Sequence, residues 1–61
     1  QKVMINELKD LVRKLKNENR ERSNLLSGGT LSDYHRLMKT HTYNNTLEII
    51  RQIENIIGTV S

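Results

Sequence analysis

The sequence predicts an all-α protein of two long helices joined by a Ser-Gly-Gly turn. Apolar residues recur with helical spacing on both sides of residues 27–30. None of the 61 residues is proline, so neither segment contains the residue that most strongly breaks a helix. The adjacent glycines Gly28 and Gly29 form the one strong helix break. Together these features predict two helices that pack in a coiled coil or a helical bundle.

Residues 1–26 are predicted to form a basic amphipathic coiled-coil helix. One heptad register places Ile5, Val12, Asn19 and Leu26 at a, and Leu8, Leu15 and Arg22 at d. β-Branched residues at a with Leu at d are typical of a parallel two-stranded coiled coil. Met4 and Leu11 occupy the flanking g position and widen the apolar stripe. A wide stripe favours a helix that contacts two neighbours in a three- or four-helix bundle, with a simple zipper as the alternative.

Residues 27–30 form the predicted Gly-rich joint. Gly28 or Gly29 can adopt the left-handed conformation that ends a helix, and Thr30 or Ser32 can cap the next one. A short Ser-Gly-Gly linker is also used to tether separate segments, and the composition changes abruptly at this point. An alternative hypothesis is therefore an engineered fusion of two partner segments. In that case the hairpin need not close within a single chain.

Residues 31–61 are predicted to form an Ile-rich amphipathic helix that runs from Leu31 to Ile57 and ends at Gly58. Residues 40–46 have poor helix propensity, so the helix either continues or breaks there. The absence of Gly and Pro from this stretch favours a continuous helix. A heptad pattern that starts with Tyr34, Met38, His41 and Asn45 reaches Ile49 only through a four-residue step, which is a stutter.

The predicted interface combines the apolar stripes of both helices with one polar position of the first. Its residues are Met4, Ile5, Leu8, Leu11, Val12, Leu15, Asn19, Tyr34, Met38, Leu47, Ile49, Ile50, Ile53, Ile56 and Ile57. Asn19 would be a buried polar residue of the kind that fixes the register of a coiled coil. In an antiparallel hairpin, residues 8–15 would face residues 47–53.

The predicted function is protein–protein interaction or oligomerisation, as a scaffold or adaptor fragment. A chain of 61 residues without cysteine buries too little apolar surface on its own for a stable fold. We therefore expect it to pair with itself, as a homodimer or a higher helical bundle, or with a helical segment of another protein. Because the chain does not begin with Met, we expect a fragment of a longer protein.

Nucleic-acid binding is the alternative function, because the net charge lies on the first segment. Residues 1–26 carry seven Lys or Arg and four Asp or Glu, whereas residues 27–61 carry three of each sign. A basic zipper protein has its basic region before the heptads. Here the basic residues follow and interleave them, and acids alternate with them. Nucleic-acid binding is therefore the weaker hypothesis.

The sequence predicts no enzyme, cofactor site or metal site. His35 and His41 are six residues apart, whereas a metal pair on a helix needs a spacing of three or four. No apolar run approaches 18 residues, so no membrane span is expected, and the first residues lack the apolar core of a signal peptide. We expect an intracellular protein, cytoplasmic rather than nuclear.

Overall fold

The chain folds as a helical hairpin. The computed structural model describes residues 2–60, in which helix α1 (Lys2–Ser27) and helix α2 (Asp33–Val60) pack against each other and no strand occurs. Gln1 and Ser61, which the predicted segments included, lie outside the described residues. The predicted all-α architecture of two long helices is confirmed. The two segments pack against each other within one chain, contrary to the alternative in which the hairpin does not close.

The two helices run antiparallel. Lys16, in the middle of α1, forms an ion pair of 2.9 Å with Glu54, which lies near the end of α2. Arg36, near the start of α2, donates a hydrogen bond of 2.7 Å to the carbonyl oxygen of Leu26, near the end of α1. The Cα trace is 44 Å long and 14 by 12 Å across. Its radius of gyration is 14.1 Å, whereas a compact domain of this length has about 10.5 Å.

The joint comprises residues 28–32, because α1 continues through Ser27 and α2 begins two residues later than predicted. Gly29 adopts the left-handed conformation, with φ 71°, and reverses the chain at low steric cost. The Gly28 amide donates to the carbonyl of Leu25 at 3.2 Å and closes the last turn of α1. Ser32 is the N-cap of α2, because its Oγ accepts a hydrogen bond of 3.3 Å from the His35 amide.

Helix α2 is continuous, as predicted, through the stretch of poor helix propensity. The Thr42 hydroxyl donates to the Met38 carbonyl one turn earlier, at 3.1 Å, and Thr46 is buried against α1. The predicted end at Gly58 is wrong. Gly58 is helical, its φ is not positive, and α2 runs on to Val60. The Thr59 hydroxyl donates to the Asn55 carbonyl at 2.9 Å in this last turn.

The core is a single seam between the helices. Along α1, the less exposed side chains, apart from Ser23, form an inner row of Ile5, Leu8, Val12, Leu15, Asn19, Arg22 and Leu26. Along α2, the inner row is Arg36, Lys39, Tyr43, Thr46, Ile50, Ile53 and Ile57. Both rows advance by alternating steps of three and four residues, which keeps them on the facing sides of two helices.

The inner row of α2 differs from the row predicted for its first half. The predicted residues Tyr34 and Met38 are exposed, and the row runs through Arg36 and Lys39 without a stutter. Arg and Lys can occupy inner positions because their aliphatic stems cover apolar surface while their charged groups remain in water. The prediction followed the more apolar residues and therefore missed this arrangement.

Candidate interaction interface

The seam has an apolar half far from the joint. There, Ile5, Leu8, Val12 and Leu15 of α1 and Ile50, Ile53 and Ile57 of α2 lie on the inner rows. Val12 and Ile50 are the buried hydrophobic residues of the described chain, at 7% and 5% exposure. Continued by equal steps along both helices, the register of the Asn19–Tyr43 hydrogen bond places Val12 opposite Ile50, which agrees with the predicted facing of residues 8–15 and 47–53. Because no other apolar side chain of the described residues is buried, the seam alone is a thin core.

The half of the seam near the joint is polar and centres on Asn19. This side chain is 3% exposed, and its Nδ2 donates a hydrogen bond of 3.1 Å to the Tyr43 carbonyl on α2. Its Oδ1 accepts a hydrogen bond from Nη1 of Arg22. Among the described residues, no buried side-chain nitrogen or oxygen lacks a partner. Asn19 is thus satisfied from both helices, which is the condition for burying an amide at little cost.

Arg36 joins the two helices at the joint. Its guanidinium donates to the carbonyl of Leu26, one of the last carbonyls of α1 that have no amide partner within the helix. A cation at this position also interacts favourably with the negative end of the α1 dipole. The contact explains why a charged residue stands on the inner row.

One side of the hairpin is charged, and it is marked by the ion pair between Lys16 and Glu54. Lys16 lies four residues after Val12, and Glu54 four residues after Ile50, which rotates each by about 40° from the inner row in the same sense. Lys9 occupies the equivalent position one heptad earlier and lines a shallow groove with Glu54 and Ile57. We call this the charged side of the hairpin.

The opposite side of the hairpin is apolar. Leu11 and Ile49 each precede an inner-row residue by one position, which rotates them by about 100° in the opposite sense from Lys16 and Glu54. Since Lys16 and Glu54 meet on one side, the residues of this second flank lie together on the other. We define the apolar side by its five exposed hydrophobic residues: Met4, Leu11, Leu25, Ile49 and Ile56.

The hairpin therefore divides the predicted interface residues into two groups. The seam brings together Ile5, Leu8, Val12, Leu15, Asn19, Ile50, Ile53 and Ile57. The remaining seven are exposed: Met4, Leu11, Ile49 and Ile56 on the apolar side, and Tyr34, Met38 and Leu47 elsewhere on α2. Contact of these seven with another chain stays a prediction. Sequence reasoning missed the inner-row residues Arg36, Lys39, Tyr43 and Thr46, although their three-and-four spacing from Ile50 is visible in the sequence.

A row of cations follows the charged side and outer surface of α1. Lys9, Arg13, Lys16 and Arg20 are separated by four, three and four residues, so they share one face of the helix. Two of the four are paired with carboxylates: Arg13 with Asp10 at 3.2 Å, and Lys16 with Glu54. The row is exposed to solvent along its whole length.

The described residues provide no metal site and no membrane-spanning helix. Within residues 2–60, no group of three or more His, Asp or Glu is placed to hold a metal ion. In the same residues, no helix combines the length and the apolar character needed to cross a bilayer. Comparisons with protein-family models, with curated proteins and with solved structures give no match for this chain.

Proposed function

We propose that this chain is a protein–protein interaction and oligomerisation module that acts through coiled-coil packing of its helices. The observation that carries the proposal is the imbalance between buried and exposed apolar side chains. Two hydrophobic residues are buried, whereas eleven large ones are exposed among the described residues. Exposed apolar surface of this extent on a small chain is typical of a protein that associates.

The spacing of the inner rows supports the coiled-coil part of the proposal. Alternation of three and four residues is the spacing at which the a and d positions of two helices interlock. The register that the sequence predicts for α1 coincides with its inner row from Ile5 to Leu26. Asn19 then stands at an a position, where a buried polar residue restricts the helices to one register.

Substitution of Ile53 tests whether the seam is the core of the associating module. Ile53 is half-buried on the inner row of α2, so Ile53→Asp places a carboxylate in the seam. We expect a loss of about 3 kcal/mol in the free energy of unfolding, with lower helicity and lower oligomer mass. Circular dichroism and sedimentation equilibrium measure these changes.

Gln52→Asp is the matched control, because Gln52 is the exposed neighbour of Ile53 on the same helix. We expect this variant to keep the mass and helicity of the original chain. If Ile53→Asp also leaves both unchanged, the seam is not the core of the module and the proposal is wrong.

A second candidate function is weak binding of nucleic acid through the row of Lys9, Arg13, Lys16 and Arg20. Exposed cations on one helix face can contact phosphates and release counterions. Two carboxylates already neutralise half of this row, which favours the interaction module over nucleic-acid binding.

Duplex DNA binding at two salt concentrations separates the two candidate functions. For an interaction module, we expect affinity no better than non-specific, with a Kd above about 1 μM at physiological salt. Four phosphate contacts would give a slope of about −3.6 in a plot of log affinity against log salt. Sub-micromolar affinity that Lys16→Ala and Arg20→Ala abolish would favour the nucleic-acid function instead.

A further inference from the structure

The amount of surface that the hairpin exposes indicates how much a partner must cover. The hairpin exposes 4902 Å², whereas a compact monomer of 7.1 kDa exposes about 4,100 Å². The excess is about 800 Å², which is what each partner buries in a protein–protein interface of standard size. One additional partner of similar size is therefore enough to bring this hairpin to an ordinary degree of burial.

The apolar side is the surface on which such a partner fits. It is formed by both helices, and Met4, Leu11 and Leu25 are spaced so that they follow one flank of α1 from end to end. Ile49 and Ile56 continue the surface on α2. A partner that lies on this side contacts both helices at once, as a neighbouring pair does in a four-helix bundle.

The charge distribution favours a second copy of the chain as that partner. The formal net charge is +3, so two copies repel each other unless their basic faces are kept apart. Along the two flanks of the apolar side, Glu18 is the single acidic residue and no Lys or Arg occurs. When two copies meet on this side, their cation rows lie on the outer surfaces, about 20 Å or more apart, which exceeds the Debye length of about 8 Å.

An acidic partner would be attracted elsewhere. Its charge would draw it to the row of Lys9, Arg13, Lys16 and Arg20, which lies on the charged side and outer surface. The apolar side offers such a partner no cation. The apolar side is complementary to a surface that is equally apolar and nearly uncharged. The apolar side of a second copy has these properties.

We propose that a second copy of this chain covers the apolar side, so that two hairpins form a four-helix bundle around it. The inference rests on the interaction function proposed above and names its partner and its surface. In a symmetric dimer, the same patch of each copy contacts the other, so each substitution on it acts twice.

Charge substitutions on the apolar side test this interface without disturbing the seam. Leu11 and Ile49 are exposed in the hairpin, at 43% and 47%, so Leu11→Glu and Ile49→Glu leave the inner rows intact. We expect each to weaken dimerisation at least tenfold in sedimentation equilibrium. Leu37→Glu is the matched control, because Leu37 is 68% exposed but lies on the outer surface of α2. We expect no change in dimerisation for this variant.

A gain-of-affinity variant makes the test independent of any loss of folding. Glu18 interrupts the row of Met4, Leu11 and Leu25 at the seven-residue spacing. Glu18→Leu completes the row, and we expect it to tighten dimerisation at least tenfold. Glu48→Leu is the control, because Glu48 is exposed on the outer surface of α2. It makes the same chemical change off the apolar side, and we expect it to leave dimerisation unchanged.

The outcomes distinguish the surface and its partner from the interaction function. If the original chain associates but Leu37→Glu weakens association as much as Leu11→Glu does, the assigned surface is wrong and the interaction function stands. If the chain is monomeric and poorly helical at every concentration, the partner is another protein and the second copy is excluded. If it is monomeric and fully helical, with a melting temperature independent of concentration, both proposals fail.

Discussion

At the scale of single residues, Asn19 shows how a polar side chain can hold two helices together. Its amide nitrogen reaches the Tyr43 carbonyl of the opposite helix, while its oxygen accepts from Arg22 on its own helix. The sequence places Asn19 on the inner face of α1 through its seven-residue spacing from Val12. Its acceptor is a backbone atom of α2, and spacing within one helix carries no information about that atom. A buried polar position is therefore predictable from the sequence, whereas its hydrogen-bond partner on the other helix requires the structure.

Removal of this side chain should destabilise the hairpin. Asn19→Ala deletes both hydrogen bonds and opens a small cavity between the helices, so we expect a loss of about 1–3 kcal/mol in the free energy of unfolding. Chemical denaturation at a fixed protein concentration measures it. Asn17→Ala is the control, because Asn17 is exposed and its only observed side-chain bond is to Arg20 on the same surface. Equal losses in the two variants would contradict a structural role for the buried amide.

At the scale of elements, the two helices differ in how completely the sequence predicts them. The inner face of α1 follows the predicted heptad positions, which are apolar at Ile5, Leu8, Val12 and Leu15. The first half of α2 reverses this relation, since Arg36 and Lys39 face α1 while Tyr34 is exposed. Hydrophobic periodicity therefore does not identify the face of this half that packs against α1. The inner face depends instead on continuity with the Ile-rich half of the helix and on the cap that Arg36 supplies to α1.

Substitution by alanine should have opposite effects at Gly29, in the joint, and at Gly58, in the last turns of α2. Gly29, before the helix, has φ 71°, a conformation that costs an L-residue about 1–2 kcal/mol. Gly58 lies within the last turns of the helix, and a Cβ there meets no atom within 4 Å. We expect Gly29→Ala to lower the free energy of unfolding by about 1 kcal/mol and Gly58→Ala to raise it by about 0.5–1 kcal/mol.

Thermal and chemical denaturation of the two variants at equal concentration measure this difference. A stabilising effect of Gly29→Ala would mean that the joint does not require the left-handed conformation. A destabilising effect of Gly58→Ala would mean that the helix ends before Val60, as the sequence alone predicts.

At the scale of the whole molecule, the antiparallel hairpin follows from one break between two helical patterns. Its register agrees with the prediction as well, because the Asn19–Tyr43 hydrogen bond, continued along both helices, places residues 8–15 opposite residues 47–54. The cap at Ser32 and the turn at Gly29 lengthen the joint beyond the predicted residues 27–30. The apolar side is only partly predictable: the sequence shows a wide apolar stripe on α1, but only the packed hairpin reveals that Leu11 and Ile49 lie on the same side.

The antiparallel arrangement also determines how the molecule responds to mechanical load. The start of α1 and the end of α2 lie at the same end of a rod 44 Å long. A force that pulls these two ends apart acts across the seam at one place at a time, so the helices peel open in sequence instead of sliding past each other. The apolar layers next to the load separate first, and the point of separation then reaches Asn19. Beyond that point, the polar contacts near the joint provide the last resistance. Pulling α1 along its axis against α2 would load all the layers together, so the hairpin should be weak to peeling and stronger to shear.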